Sequence, residues 1–185
     1  MTAAATANLT AGTWNLDASH SEVGFTVRHA GISKVRGTFG EFDATLVVGE
    51  TLTESTVTAD IQLASVSTKD ENRDGHLKSA DFFDVETFPV MSFRSTGLQG
   101  EPGAFTLLGE LTIKGVTKQV ELDAEFGGQT VDPFGATRAG FSASTTISRK
   151  EFGITWNAAL EAGGVLVSDK VKIEIDAAFV LPTAE

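Results

Sequence analysis

Apolar residues occupy every second position through most of this chain. Val57, Ala59, Ile61 and Leu63 alternate with Thr56, Thr58, Asp60 and Gln62, and Val120, Leu122, Ala124 and Phe126 alternate with Gln119, Glu121, Asp123 and Glu125. The last long run, Val171, Ile173, Ile175, Ala177, Phe179 and Leu181, is interleaved with Lys172, Glu174 and Asp176. A period of two is that of a strand with one dry and one wet face. Shorter runs of the same kind hold Trp14 and Leu16, then Val23, Phe25, Val27 and His29, then Phe42, Ala44, Leu46 and Val48. Residues 31–36 read as a loop. Phe105, Leu107, Leu111 and Ile113 form one more strand, and Lys114-Gly115 before Val116 reads as a two-residue hairpin turn in which Gly115 supplies positive φ. Gly127-Gly128 and residues 132–135 mark the next loop.

Two stretches break the alternation. Residues 69–89, KDENRDGHLKSADFFDVETFP, crowd charges, His76 and three phenylalanines together before Pro89, and they predict a crossover carrying a short helix within 69–88. The second break covers residues 148–164. Seven to nine strands with one apolar face each would leave a large greasy surface if laid out flat, so the sheet must close or pair. Consecutive long hairpins favour an all-β, antiparallel up-and-down barrel of about eight strands, a size that holds one small ligand when side chains do not fill it. The expected layout is a flexible segment over residues 1–11 and one barrel domain over 12–182.

Composition narrows the function. With 41% hydrophobic and 21% charged residues, the 185-residue chain is that of a folded domain. A formal charge of -11 disfavours nucleic acid and anionic membrane surfaces as default partners. The absence of cysteine removes disulfides, thiolate metal sites and a Cys nucleophile. No integral membrane segment and no signal peptide are visible, which leads to the expectation of a cytoplasmic protein. Thirteen phenylalanines without a tyrosine make an apolar interior with no buried phenol, as a long hydrocarbon ligand would want.

Three patterns together resemble the YceI-like family, the bacterial lipocalin-like polyisoprenoid-binding proteins. They are Asp17-x-x-His20-Ser21-x-x-x-Phe25-x-x-Arg28-His29 continuing to Gly37-x-Phe39; Asn72-Arg73-Asp74, His76-Leu77, Asp81-Phe82-Phe83-Asp84 and Phe88-Pro89; and Gly109-x-Leu111-Thr112-Ile113-Lys114-Gly115-Val116 with Arg149-Lys150-Glu151-Phe152-Gly153. The resemblance implies a lipocalin-like barrel whose elongated pocket holds an isoprenoid chain, such as a polyprenyl group or a ubiquinone-type prenylquinone, or a similar long-chain amphiphile, in a homodimer.

The function expected is therefore non-catalytic binding or carriage of such a lipid, with no cofactor. The ligand-facing set is Phe25, His29, Phe39, Phe42, His76, Phe82, Phe83, Phe88 and Trp156. The polar mouth is Asp17, Ser19, His20, Arg28, Arg73 and Lys78. Two alternatives stand beside it. A hydrolase acting on a lipid-like substrate would pair Ser19 or Ser21 with a histidine and Asp17 or Asp74, although no Gly-x-Ser-x-Gly elbow is present. A filled-barrel dimeric stress-response module would bind nothing. A tris-histidine metal site would need all three of His20, His29 and His76, and the first two, nine residues apart, face opposite sides of a continuous strand. No metal is expected.

Overall fold

The computed structural model describes residues 9–101 and 103–183. Eleven strand segments build a closed antiparallel barrel of eight strands. Three wall strands are kinked and so count twice: β1 (Gly12–Leu16) runs on into β2 (Glu22–His29), β3 (Ser33–Phe39) into β4 (Phe42–Val48), and β5 (Thr56–Gln62) into the short β6 (Val66–Ser67). The other five are continuous: β7 (Val90–Gly100), β8 (Ala104–Ile113), β9 (Val116–Val131), β10 (Thr137–Ser148) and β11 (Val167–Leu181). The last strand closes the ring on the first, since β11 pairs with β1 at Leu16↔Phe179 and with β2 at Phe25↔Ile173. Closure removes the sheet edges. Every pairing is antiparallel and follows chain order around the ring, which is the up-and-down topology that the alternation predicts.

Helix α1 (Glu71–Lys78) lies inside the 69–88 crossover, where it was expected. Asp70 caps it by accepting the Arg73 amide at 3.0 Å, as residues with short acceptor side chains do at N-termini. Among the described residues no helix is long and apolar enough to cross a membrane.

Several local expectations are corrected. Residues 33–36 are strand, not loop: the chain reverses at Ala30–Ile32, and Lys34, Val35 and Arg36 alternate out, in, out against β2. Gly127-Gly128 lies within β9, where the pairing jumps from Gly128↔Gly140 to Phe126↔Phe141 and leaves Gly127 bulged. A glycine pair inside a strand signals a bulge as readily as a turn. Leu63 leaves the β5 alternation in a 3-10 turn, yet it is fully buried. Of the N-terminal segment, residues 1–8 lie outside the described residues. Leu9 packs on the core, and the Thr10 amide donates to Gln129 Oε1 at 2.8 Å.

The interior is layered. Toward the α1 end, Phe39, Leu63, Val66, Phe82, Phe152 and Ile154 form one buried cluster. Toward the opposite, hairpin end, Trp14, Leu46, Phe105, Phe126 and Phe179 form another. Space remains between and beyond them.

Candidate functional site

Three cavities lie in sequence along the barrel. The innermost, of about 190 Å³, is walled by inward residues of nearly every strand, including Phe42, Ala59, Phe93, Leu111, Leu122 and Phe141, and reaches Leu9 and Leu52 at the hairpin end. A second, of about 100 Å³, is enclosed by Phe39, Leu77, Phe83, Phe152 and Ile154, and it shares Val23, Met91 and Ile173 with the first. The third, of about 410 Å³, opens beside α1 and shares Phe25, Val27, Leu77, Phe82 and Val167 with the second. Shared walls set these three compartments end to end along the barrel, with side chains standing between them.

The innermost wall is almost wholly aliphatic and phenyl. Its Ser21 hydroxyl is already engaged, donating to the Asp17 carbonyl at 2.7 Å and accepting the Ala178 amide at 2.9 Å. A buried water needs two to four polar partners, whereas apolar cavities of roughly 150 Å³ stay dry and take apolar guests. The chemistry this space offers is apolar burial.

At the mouth the crossover is held by a compact polar knot. Asp74 Oδ1 accepts both the Thr68 amide (2.8 Å) and the Thr68 hydroxyl (2.6 Å), while Arg73 donates through Nε to Thr68 Oγ1 (2.7 Å) and through Nη2 to the Thr68 carbonyl (2.9 Å). The knot orients α1 so that Leu77 points into the barrel and His76 faces the opening. The His76 ring meets Phe82 and Trp156 edge to face, with centroids 4.9 and 4.6 Å apart, and its Nε2 lies 2.9 Å from Asp81 Oδ2. Three rings and one polar edge thus stand at the entrance.

The expected ligand-facing residues sort by compartment. Phe42 lines the innermost cavity, Phe39 and Phe83 the middle one, Phe25 and Phe82 both the middle one and the mouth, and His29, His76 and Trp156 the mouth. Phe88 lines none of these cavities; its ring packs on Gly115. Of the polar set, Arg28 and Arg73 border the mouth cavity and Lys78 does not.

Asp17, Ser19 and His20 lie elsewhere, on the outer side of the wall where β1 kinks into β2. Asp17 Oδ2 accepts from Arg138 Nη1 at 2.6 Å, and Arg138 Nε donates to Asp132 Oδ2 at 2.7 Å, so the cluster clasps β1, β10 and the β9–β10 hairpin together. The Ser19 hydroxyl, followed by Arg138 and His20, holds the Asp17 carboxyl well below the usual carboxylate range. His20 Nδ1 lies 2.7 Å from Asp17 Oδ2 and 3.1 Å from Ser19 Oγ. In a hydrolase relay the two imidazole nitrogens divide these tasks, one toward the carboxylate and one toward the hydroxyl. Here both fall on one nitrogen, and the Ser19 hydroxyl donates to Asp17 instead, at 2.6 Å. The arrangement is a clasp. His29 and His76 border the mouth while His20 sits in this clasp, and among the described residues no three His, Asp or Glu side chains form a metal-holding group.

Arg149 carries more than its sequence context suggests. Its side chain, only 4% exposed, borders the middle cavity and donates to the carbonyls of Ser168 (2.9 Å), Ile154 (2.9 Å), Trp156 (2.9 Å) and Val167 (3.2 Å). Burial pushes its pKa down from the ordinary value, with Asp169 opposing. The guanidinium folds the 153–167 segment around itself and so presents Ile154 and Trp156 to the tunnel. A charged run, Arg149-Lys150-Glu151, just after a strand and shortly before Gly153 reads as an exposed turn, which is why pattern alone misses it.

The YceI-like domain pattern matches residues 14–179. The chain belongs to the YceI-like family. Its YceI-like relatives include a UPF0312 protein of Staphylococcus aureus (strain USA300), 38% identical over 169 residues that span 90% of this chain and 96% of that one. A UPF0312 protein of Staphylococcus epidermidis is 40% identical over 168 residues, with the same coverage. Among solved structures, the YceI protein of Campylobacter jejuni superposes with a TM-score of 0.73 at 31% identity, covering 91% of this chain and 97% of that one. Burkholderia cenocepacia BcnA (TM-score 0.77, 21% identity, 88% and 98% covered) shares the fold. So does a polyisoprenoid binding domain from Saccharophagus degradans (TM-score 0.72, 15% identity, 91% and 98% covered).

Proposed function

We propose that this YceI-like barrel is a non-catalytic carrier that holds an isoprenoid-type lipid, a polyprenyl chain or a prenylquinone of the ubiquinone kind, in its tunnel. The observation that carries the reading is the run of three cavities with shared apolar walls from the α1 mouth to the hairpin end. Each methylene moved from water into such a space contributes about 0.8 kcal/mol, so a long chain binds tightly without a specific polar contact. The ringed mouth of His76, Phe82 and Trp156 suits a flat head group at the end of that chain. The fold shared with a domain named for polyisoprenoid binding supports the same class of ligand. Open cavities weigh against the filled-barrel module.

Native mass spectrometry before and after organic extraction tests the reading. A co-purifying amphiphile that extraction removes, and that a prenylquinone replaces in a fluorescence titration, is the expected result. Protein that is ligand-free as purified and takes up no prenylquinone contradicts it. The homodimer and the cytoplasmic location belong to the same reading, and sedimentation equilibrium and cell fractionation check them.

A further inference from the structure

Exposed apolar tips occur at both ends of the barrel, Phe134 (94%) and Val131 (63%) at the β9–β10 hairpin among them, but at the mouth end they coincide with unpaired cations. Ile32, at the tip of the β2–β3 hairpin, is 85% exposed, and Val165, in the neighbouring 153–167 segment, is 51% exposed. The two are brought together by the Ala30 amide, which donates to the Leu166 carbonyl at 2.7 Å. Leu166 and Val167 continue this apolar rim directly into the mouth cavity. An exposed apolar edge continuous with a ligand entrance is costly in water and useful only against something apolar.

Charge is what distinguishes the mouth end. The chain carries -11 overall, but Arg94 and Arg138 apart, its lysines and arginines all lie in the half of the barrel that holds α1. Directly behind Ile32, Arg28 pairs across the hairpin with Lys34, and Arg36 pairs with Thr26, itself opposite Lys172. Arg28, Lys34 and Arg36 are exposed, and among the described residues none of them makes an ion pair. Glu174, the acidic residue beside them on β11, is already bound to Lys172 at 2.8 Å, whereas Asp70 borders the mouth cavity with Arg28 and Glu161 is exposed on the Val165 segment. A wedge of one or two apolar tips backed by unpaired cations matches the interface of an anionic bilayer, where aliphatic side chains enter the acyl boundary and cations meet the phosphates.

We propose that the β2–β3 hairpin and the Val165 edge dock the barrel on an anionic lipid surface, mouth down, so that the lipid passes between membrane and tunnel without crossing water. The inference rests on the carrier reading. The acidic remainder of the barrel is repelled by the same surface, which fixes the orientation that net charge alone would obscure.

Vesicle flotation tests it, with vesicles of phosphatidylcholine alone and of phosphatidylcholine with phosphatidylglycerol. The wild type floats with the anionic vesicles and not with the neutral ones, and the association weakens as salt is raised. Each charge lost through Lys34→Glu or Arg36→Glu lowers the partition coefficient about fivefold or more. Ile32→Asp abolishes flotation, whereas Phe134→Ala at the opposite end leaves it unchanged. These variants keep the wild-type circular dichroism and the wild-type uptake of a prenylquinone delivered in detergent. Wild-type protein that takes up the quinone in detergent but does not float overturns the docking alone, as does flotation that survives Ile32→Asp with both charge reversals or is lost with Phe134→Ala. Failure of quinone uptake in detergent overturns the carrier reading itself.

Discussion

Two charged side chains at the residue scale do work that their sequence neighbourhoods conceal. Arg149 exchanges water for four backbone carbonyls, and a small or apolar replacement would leave those acceptors buried without a donor. Hydrogen bonds to charged groups contribute about 1.5–3 kcal/mol each in net terms, with incomplete additivity. Arg149→Met is therefore expected to destabilise the fold by about 3 kcal/mol or more in urea titration, and to loosen residues 153–167 first. Asp17 makes its prediction through pH. Its folded-state pKa is depressed by the Ser19 hydroxyl, Arg138 and His20, so the carboxylate stabilises the fold fully above its unfolded value of about 3.9 and progressively less as pH falls toward the folded value. The melting-temperature gap between wild type and Asp17→Asn should be constant from neutrality to about pH 5 and should shrink below about pH 4. A gap independent of pH through that range would remove the clasp from the account. Both residues stand within patterns noticed in the sequence, but a pattern does not tell a turn that reverses the chain from a kink within a wall. Asp17, Ser19 and His20 were expected at the polar mouth, and they occupy a kink on the outside of the wall.

Elements divide into those whose determinants are local and those set by their partners. The Lys114–Gly115 turn is local: φ values of 52° and 76° give the paired left-handed geometry of a two-residue hairpin. A Cβ on Gly115 would also stand 2.9 Å from Phe88 Cε1. Gly115→Val should therefore cost about 1–3 kcal/mol, a loss that a Phe88→Ala background only partly relieves because the backbone strain persists. Helix α1 is local at its start, through the Asp70 cap, and tertiary in its placement, through Thr68, Asp74 and Leu77. Removing the cap with Asp70→Ala is expected to weaken the helix by about 1 kcal/mol. Amide exchange in α1 should accelerate together with ligand release, since this short helix carries Leu77 into the barrel and His76 to its mouth. Acceleration of exchange with no change in release would separate the helix from gating. By contrast, the strand over residues 33–36 and the bulge at Gly127 were hidden by their own composition. Three polar or charged residues around Val35 look like loop until β2 is placed beside them, and a glycine pair looks like a turn until β10 continues past it.

The whole molecule is the scale at which sequence reasoning was most successful. One-sided strands in chain order require closure, and closure of about eight strands at this length leaves an interior that side chains can line without filling. What alternation could not reveal was how that space is partitioned, because the partition depends on Leu77, Phe83, Phe152 and Ile154, which come from the α1 crossover and the segment after β10, outside the strands. The carrier account requires that the partitions yield to one long chain. Binding a ladder of prenyl alcohols that differ by single isoprene units measures this directly by isothermal titration. Since each buried methylene adds about 0.8 kcal/mol at most, roughly fourfold in affinity, the account predicts a steep rise in affinity with each unit until the chain outgrows the tunnel, then a plateau. Affinity that is flat from the shortest alcohol onward would mean that only the mouth is used, and would contradict a tunnel that carries the chain.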